Sequence, residues 1–183
     1  MSVESTAFAV RSRPALLSGA AAGIFGAVVM AMFAMVAGAT YHGVGFFTPM
    51  YHIASSLLGP ETMMESAARG QAGDLFYLAP GPAALGMMLH LAVGAVFGAI
   101  LPMVGSLLRA RGAGWVPLGI LYGAAVLALM SFVGLPITAS LFGGGDPIRD
   151  MPQIAGWWTF GLEHLLYGAV LGLWFWRRGT AEA

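Results

Sequence analysis

Residues 14–39 read PALLSGAAAGIFGAVVMAMFAMVAGA, a run without a single charged side chain. A helix of about 20 residues, rising about 1.5 Å per residue, crosses the hydrocarbon core of a bilayer. Three further runs, 79–108, 115–135 and 154–176, have the length for the same role. The sequence therefore predicts an all-α, polytopic membrane protein, a single membrane domain with four transmembrane helices.

The composition excludes several classes of protein. Of the 183 residues, 58% are hydrophobic and 9% are charged, whereas a soluble domain carries about 25% charged residues. This excludes a water-soluble monomer. A net charge of zero without any lysine argues against a nucleic-acid partner, and the absence of cysteine excludes disulfides and thiolate metal sites. Because no catalytic motif is present either, the chain is predicted not to be an enzyme.

The arginines predict the orientation. If the chain crosses four times, six of the eight fall on one side: Arg11, Arg13, Arg109, Arg111, Arg177 and Arg178. The positive-inside rule then places both termini in the cytoplasm of a bacterium, with the protein in its inner membrane. The outer segment 40–78 is too long for a bare connection. Its Thr48-Pro49 and Gly59-Pro60 pairs predict short helices lying in the membrane interface.

The chain contains an internal repeat. Residues 90–98 read HLAVGAVFG and residues 164–172 read HLLYGAVLG, so both follow the pattern HLxxGAVxG. A duplicated pair of spans predicts two parallel helical hairpins related by an axis along the membrane normal. Every span also carries a GxxxG pattern, whose glycines form a flat strip that another helix can approach closely. Gly94, Gly98, Gly168 and Gly172 are the predicted packing residues of the repeat.

Ionisable residues within the apolar spans are the candidate functional residues. His90, Glu163 and His164 lie where charge is costly, so they are expected to face the protein interior. Glu163 and His164 are adjacent, point about 100° apart and are expected on different faces. Tyr167 lies four residues beyond Glu163, within reach of a hydrogen bond. These four residues predict a proton or substrate centre in a small transporter, channel or stress-related membrane protein without a cofactor.

Other interpretations of the same residues stay open. The histidines can simply hydrogen-bond a Ser, a Thr or a carbonyl across a helix interface, with Ser131, Thr159 and Tyr122 as candidates, which leaves a structural partner for other helices. His90 and His164 can instead be axial ligands of haem b in an electron-transfer subunit. In the outer segment, His42, His52 and Met50 offer soft ligands that suit copper(I). Beside the lipid bilayer, the predicted partners are a second copy of the chain or a larger membrane complex.

The second half of the chain, from about residue 86 to 178, resembles the YagU-like family of small bacterial inner-membrane proteins. The resemblance rests on the histidine in the second span, the short basic turn, the Gly134-Leu135-Pro136 exit and the Arg177-Arg178 end. It departs from the family in the adjacency of Glu163 and His164. The resemblance implies a polytopic inner-membrane protein linked with acid tolerance and protons, and it supplies no catalytic residues.

Overall fold

The computed structural model describes the backbone of residues 3–181 and the side chains of residues 14–178. This part of the chain is helical, and it contains no β-strand. The predicted all-α class is therefore confirmed. The side chains of Arg11 and Arg13, on which the orientation partly rests, lie outside the described residues.

Within residues 3–181, four long helices and five short ones make up the fold. The long helices are α1 (Val3–Ala37), α4 (Pro80–Leu107), α5 (Trp115–Leu129) and α9 (Trp157–Ala181). The short helices are α2 (Thr48–Leu58), α3 (Glu61–Gln71), α6 (Leu135–Phe142), α7 (Gly145–Arg149) and α8 (Met151–Ile154). A 3₁₀ turn, Gly112–Gly114, precedes α5, and two π-helical segments, Gly38–His42 and Met130–Gly134, follow α1 and α5.

Three helical stretches are long and apolar enough to cross a membrane: Pro14–His42, Pro80–Leu107 and Gly112–Phe142. They are compatible with an integral membrane protein. The third stretch is continuous because the second π-helical segment joins α5 to α6. The fourth predicted span, 154–176, corresponds to α9. It does not reach the same hydropathy because Glu163, His164 and several tryptophans lie within it.

The long helices pack as two pairs whose backbones touch through glycine. In α1 and α4, a Cβ added at Gly23 would overlap the carbonyl oxygen of Gly94. In α5 and α9, a Cβ added at Gly168 would overlap the carbonyl oxygen of Gly119. Only glycine leaves room for so close an approach. The two pairs meet where α1 packs against α9, which gives a four-helix arrangement. The glycine contacts within the pairs occupy one half of its length.

The short helix α2 packs into the bundle. Its Met50, His52 and Ser55 are buried, and a Cβ at Gly86 of α4 would overlap the carbonyl oxygen of Met50. Leu57, in the last turn of this helix, is 48% exposed. The side of α2 that carries Met50 thus packs against the bundle, while Leu57 is only half covered.

The two halves of the chain run through the same order of elements. In each half a long helix leads into a five-residue π-helical segment, then into a short helix, and later into a long helix with the HLxxGAVxG pattern. Both short helices end at a glycine with positive φ, Gly59 and Gly143. π-Helical turns are rare and occur often at functional sites, so their position beside the cavity described next is informative.

Candidate functional site

A cavity of about 610 Å³ lies between the long helices and the short helices of both connections. All four histidines of the chain line this cavity: His42, His52, His90 and His164. On α1 the lining begins at Ala27, and on α9 it ends at Tyr167. The glycine contacts at Gly19 and Gly119 lie beyond it, toward the turn at Arg109. The cavity therefore occupies the half of the bundle away from that turn.

α9 supplies more of the polar lining than any other helix. Thr159, Phe160, Glu163, His164 and Tyr167 all border the cavity, and their spacing follows the period of an α-helix. Glu163 and His164 are adjacent and were expected to point away from one another on the helix. Both nevertheless border the cavity, because it is wide enough to reach both side chains. The corresponding residues in the first half are Leu89, His90 and Val93, so the carboxyl is present in one half alone.

Glu163 is buried without a polar partner. Its exposed fraction is 6%, and among the described residues its carboxyl makes neither a hydrogen bond nor an ion pair. Tyr167 does not hydrogen-bond it, contrary to the sequence-based expectation, because the Tyr167 hydroxyl donates to Gly94 O at 2.7 Å. The nearest hydroxyl on its own helix therefore ties α9 to α4 and leaves the carboxyl facing the cavity.

His90 and His164 each donate to a backbone carbonyl. His90 Nε2 lies 3.0 Å from Ala27 O on α1, and His164 Nδ1 lies 2.7 Å from Phe160 O on its own helix. A carbonyl only accepts, so the bonded ring nitrogen carries the hydrogen. In the neutral rings, His90 Nδ1 and His164 Nε2 are left as acceptors. The two equivalent histidines of the repeat thus present different nitrogens.

The polar partners predicted for these two histidines have other roles. Thr159 Oγ1 hydrogen-bonds His42 Nε2 at 2.8 Å, and the Tyr122 hydroxyl donates to Phe97 O at 2.7 Å. Ser131 Oγ, in the second π-helical segment, is buried without a hydrogen-bond partner in the described part of the chain. The bond of His90 to a carbonyl of α1 thus agrees with the structural interpretation, whereas none of the three candidate hydroxyls bonds His90 or His164.

His42 and His52 join the outer segments to the bundle. His42 connects the first π-helical segment to α9 through Thr159, and His52 Nε2 donates to Pro147 O of α7 at 2.7 Å. Burial lowers the pKa of His52, and the hydrogen bond to Pro147 O partly offsets this effect. The sequence offers both residues, together with Met50, as candidate ligands for copper(I). Within residues 14–178, no three His, Asp or Glu side chains lie close enough to hold a metal ion.

The charge around the cavity is simple. Glu163 is its acidic lining residue, and no arginine from the described side chains borders it. Arg69 and Arg149 are instead paired on the surface with Glu65, Asp74, Asp146 and Asp150. The site is therefore a largely apolar chamber with one carboxyl and four imidazoles.

The described residues form an all-helical chain that is compatible with an integral membrane protein and carries a largely apolar cavity. No family model matches the chain, and no curated protein or solved structure matches it either. The function must therefore be argued from the site itself.

Proposed function

We propose that the chain is a four-span protein of the bacterial inner membrane that couples movement of a small substrate or ion to protons, with Glu163 as the proton-carrying group. The observation that carries this proposal is the burial of an unpartnered carboxyl on a cavity shared with four imidazoles. Ionisable groups are retained inside apolar helices when they serve a pathway for ions or protons. The association of the YagU-like family with acid tolerance agrees with the same proposal.

The proposal takes α9 as the fourth membrane span. Glu163 and His164, the strongly polar residues that lower the hydropathy of this helix, border the cavity, and most of the tryptophans that lower it further are exposed aromatic side chains. The outward face of α9 carries exposed apolar side chains, including Leu162 and Leu173. Twenty-five helical residues at about 1.5 Å each exceed the thickness of a hydrocarbon core.

Cysteine labelling tests the span count, because the chain contains no cysteine of its own. Glu61→Cys, Arg111→Cys and Arg178→Cys each place one thiol at an exposed position. With four spans, a membrane-impermeant maleimide added to intact cells labels Glu61→Cys alone. Labelling of both Glu61→Cys and Arg178→Cys from outside would show that α9 does not cross. Labelling of Arg111→Cys and Arg178→Cys without Glu61→Cys would show the reversed orientation.

We also propose that the two halves arose by duplication and form two parallel hairpins. The support is the repeated order of helix, π-helical segment and short helix, together with equivalent glycine contacts in both pairs. In this arrangement His90 and His164 occupy corresponding positions, while Leu89 stands where the second half has Glu163. In this proposal the duplication accounts for the similar helices on the two sides of the cavity. The carboxyl of Glu163 comes from the second half alone, so the two sides differ chemically.

The titratable groups facing Glu163 come from several elements. His164 and Tyr167 lie on its own helix, His90 on α4, His52 on α2 and His42 in the first π-helical segment. A proton that enters through the half of the bundle occupied by the cavity would pass imidazole side chains before it reaches the carboxyl of Glu163. Release on the other side then requires the glycine-packed half to open, because the cavity ends before that half.

Proton flux into proteoliposomes tests the proposal. A pH-sensitive dye inside the vesicles reports acidification after a pH step is imposed across the membrane. Wild-type protein should acidify the lumen faster than empty vesicles, and Glu163→Gln should abolish the difference. Glu61→Gln, the same substitution at an exposed position on α3, should retain the wild-type rate. Equal rates for the wild type and Glu163→Gln would refute the proposal.

A haem-binding electron-transfer role is the second candidate. It is favoured by the His164 Nδ1 bond to a backbone carbonyl, since metal-ligating imidazoles commonly hold their other nitrogen in this way. His90, however, uses Nε2 for Ala27 O and would have to release that bond to ligate through it. A Soret band in the purified protein that is lost in His164→Ala supports this role, and a colourless, iron-free protein with proton flux excludes it.

A further inference from the structure

The wall of the cavity has the chemistry of a site for a lipophilic organic molecule. Apart from Glu163 and the histidines, its lining is dominated by alanine, methionine, leucine, isoleucine, valine and phenylalanine side chains. A volume of about 610 Å³ lies inside the range of about 300–1,000 Å³ in which proteins bury drug-sized ligands. Size and polarity therefore fit a compact organic ligand better than a hydrated inorganic ion.

The hydrogen-bonding capacity left in the cavity favours positive charge. The hydroxyls of Tyr167, Thr48 and Ser56 donate to protein oxygens, and Thr159 is paired with His42. With neutral imidazoles and an ionised Glu163, the free acceptors are the Glu163 carboxylate, His164 Nε2, His90 Nδ1 and His52 Nδ1. The remaining free groups are the Thr138 hydroxyl and His42 Nδ1, whose role depends on the tautomer. An anion would meet few donors there.

The carboxyl of Glu163 adds a reason of its own. An ionised carboxyl that is buried without a partner is strongly unfavourable, so the group must hold either a proton or a cation. No arginine lines the described cavity, so the protein does not supply that cation itself. Phe160, whose ring centroid lies 4.7 Å from that of His164, and the thioether of Met130 also line the cavity, and such polarizable surfaces stabilise a diffuse positive charge.

We infer that the substrate of this cavity is a lipophilic monovalent organic cation, held by the Glu163 carboxylate against the apolar and aromatic wall. This inference rests on the proposed function and names its substrate class. The cation and the proton exclude each other at Glu163, because one carboxylate is shared between them. His164 and Tyr167 on α9, His90 on α4, His52 on α2 and His42 in the first π-helical segment face this carboxyl.

Equilibrium dialysis of purified full-length protein in detergent micelles tests the inference with two probes of the same shape. Tetraphenylphosphonium carries a positive charge and tetraphenylborate a negative one. We expect saturable binding of the phosphonium that weakens as the pH is lowered, whereas the borate should partition into micelles without saturation. Equal saturable binding of both probes, or of neither, would overturn the inference.

Variants of the carboxyl locate the binding. Glu163→Gln should weaken phosphonium binding at least tenfold, equivalent to about 1.4 kcal/mol. Glu61→Gln should bind as the wild type does. Glu163→Asp keeps the charge and should retain pH-dependent binding at lower affinity, which separates loss of charge from misfolding. Unchanged binding by Glu163→Gln, or the loss of pH dependence in Glu163→Asp, would overturn the inference.

The flux and binding experiments fail separately. If Glu163-dependent proton flux is measured and the phosphonium does not bind, the substrate class is wrong and the proposed function stands. If the phosphonium binds through Glu163 and no proton flux is measured, with or without phosphonium inside the vesicles, the inferred ligand stands and the proposed transport is wrong.

Discussion

Replacing Gly23 by alanine should destabilise the pairing of α1 with α4. The added Cβ would overlap Gly94 O and lie 2.9 Å from Gly98 Cα, whereas ordinary contacts begin at 3.4 Å. Both obstacles are backbone atoms, which cannot rotate away. The two helices must therefore separate by at least 0.5 Å, the difference between these distances, along the glycine strip.

The expected cost follows from the packing. Overpacking of a close contact typically costs about 1–3 kcal/mol, and alanine in a helix offsets this by about 0.5–1 kcal/mol relative to glycine. Because the overlap is with backbone atoms, the upper half of the overpacking range applies, and the net loss in the free energy of unfolding should be about 1–2.5 kcal/mol. Gly161→Ala in α9 is the matched control, because the nearest atom to its Cβ is Leu127 Cδ2 at 3.9 Å.

Unfolding in mixed micelles, followed by circular dichroism as denaturing detergent is added, measures both variants. Gly23→Ala should unfold at lower detergent fraction than the wild type, and Gly161→Ala at an equal or higher fraction. The opposite signs are the essential result. If both substitutions shift unfolding in the same direction by the same amount, backbone contact at the glycine strip does not hold α1 against α4.

Two further results are expected. Tyr167→Phe removes the donor to Gly94 O and should lower the free energy of unfolding by about 0.5–1.5 kcal/mol. Tyr41→Phe, at a residue that is 81% exposed, should have no effect. Equal effects of the two substitutions would contradict the assigned hydrogen bond. Because burial lowers the pKa of His52 in the folded state, its contribution to stability is complete above the unfolded value of about 6.5 and is lost as the pH falls below it. His52→Gln should therefore show a smaller loss of thermal stability between pH 8 and pH 5 than the wild type, and an unchanged loss would mean that His52 does not titrate with unfolding.

The sequence was sufficient to predict the helical class and the apolar stretches, because both depend on local composition. The runs around residues 14–39, 79–108 and 115–135 correspond to the three stretches that are compatible with membrane spans. The run at 154–176 is helical, but the Glu163-His164 pair lowers its hydropathy. Its role as a fourth span and the duplication stay predictions.

The sequence could not predict how the outer segments meet the bundle. His42 and His52 lie far along the chain from Thr159 and Pro147, and only the docking of α2 and of the first π-helical segment brings these partners together. The partner of Tyr167 was missed for the same reason, since Gly94 O lies on another helix. The sequence did show that the chain has four histidines, and the structure places all of them on one cavity.

The glycine contacts between α1 and α4, and between α5 and α9, have a mechanical consequence. Two helices that touch through main-chain atoms have no rotamers to rearrange at their interface, so they cannot part gradually. Any passage from the chamber toward the Arg109 turn must come from whole helices tilting or sliding as rigid rods. Such a hinge would make turnover slow and strongly temperature-dependent, and it would place the moving parts at the π-helical turns, where the hydrogen-bond ladder is already offset.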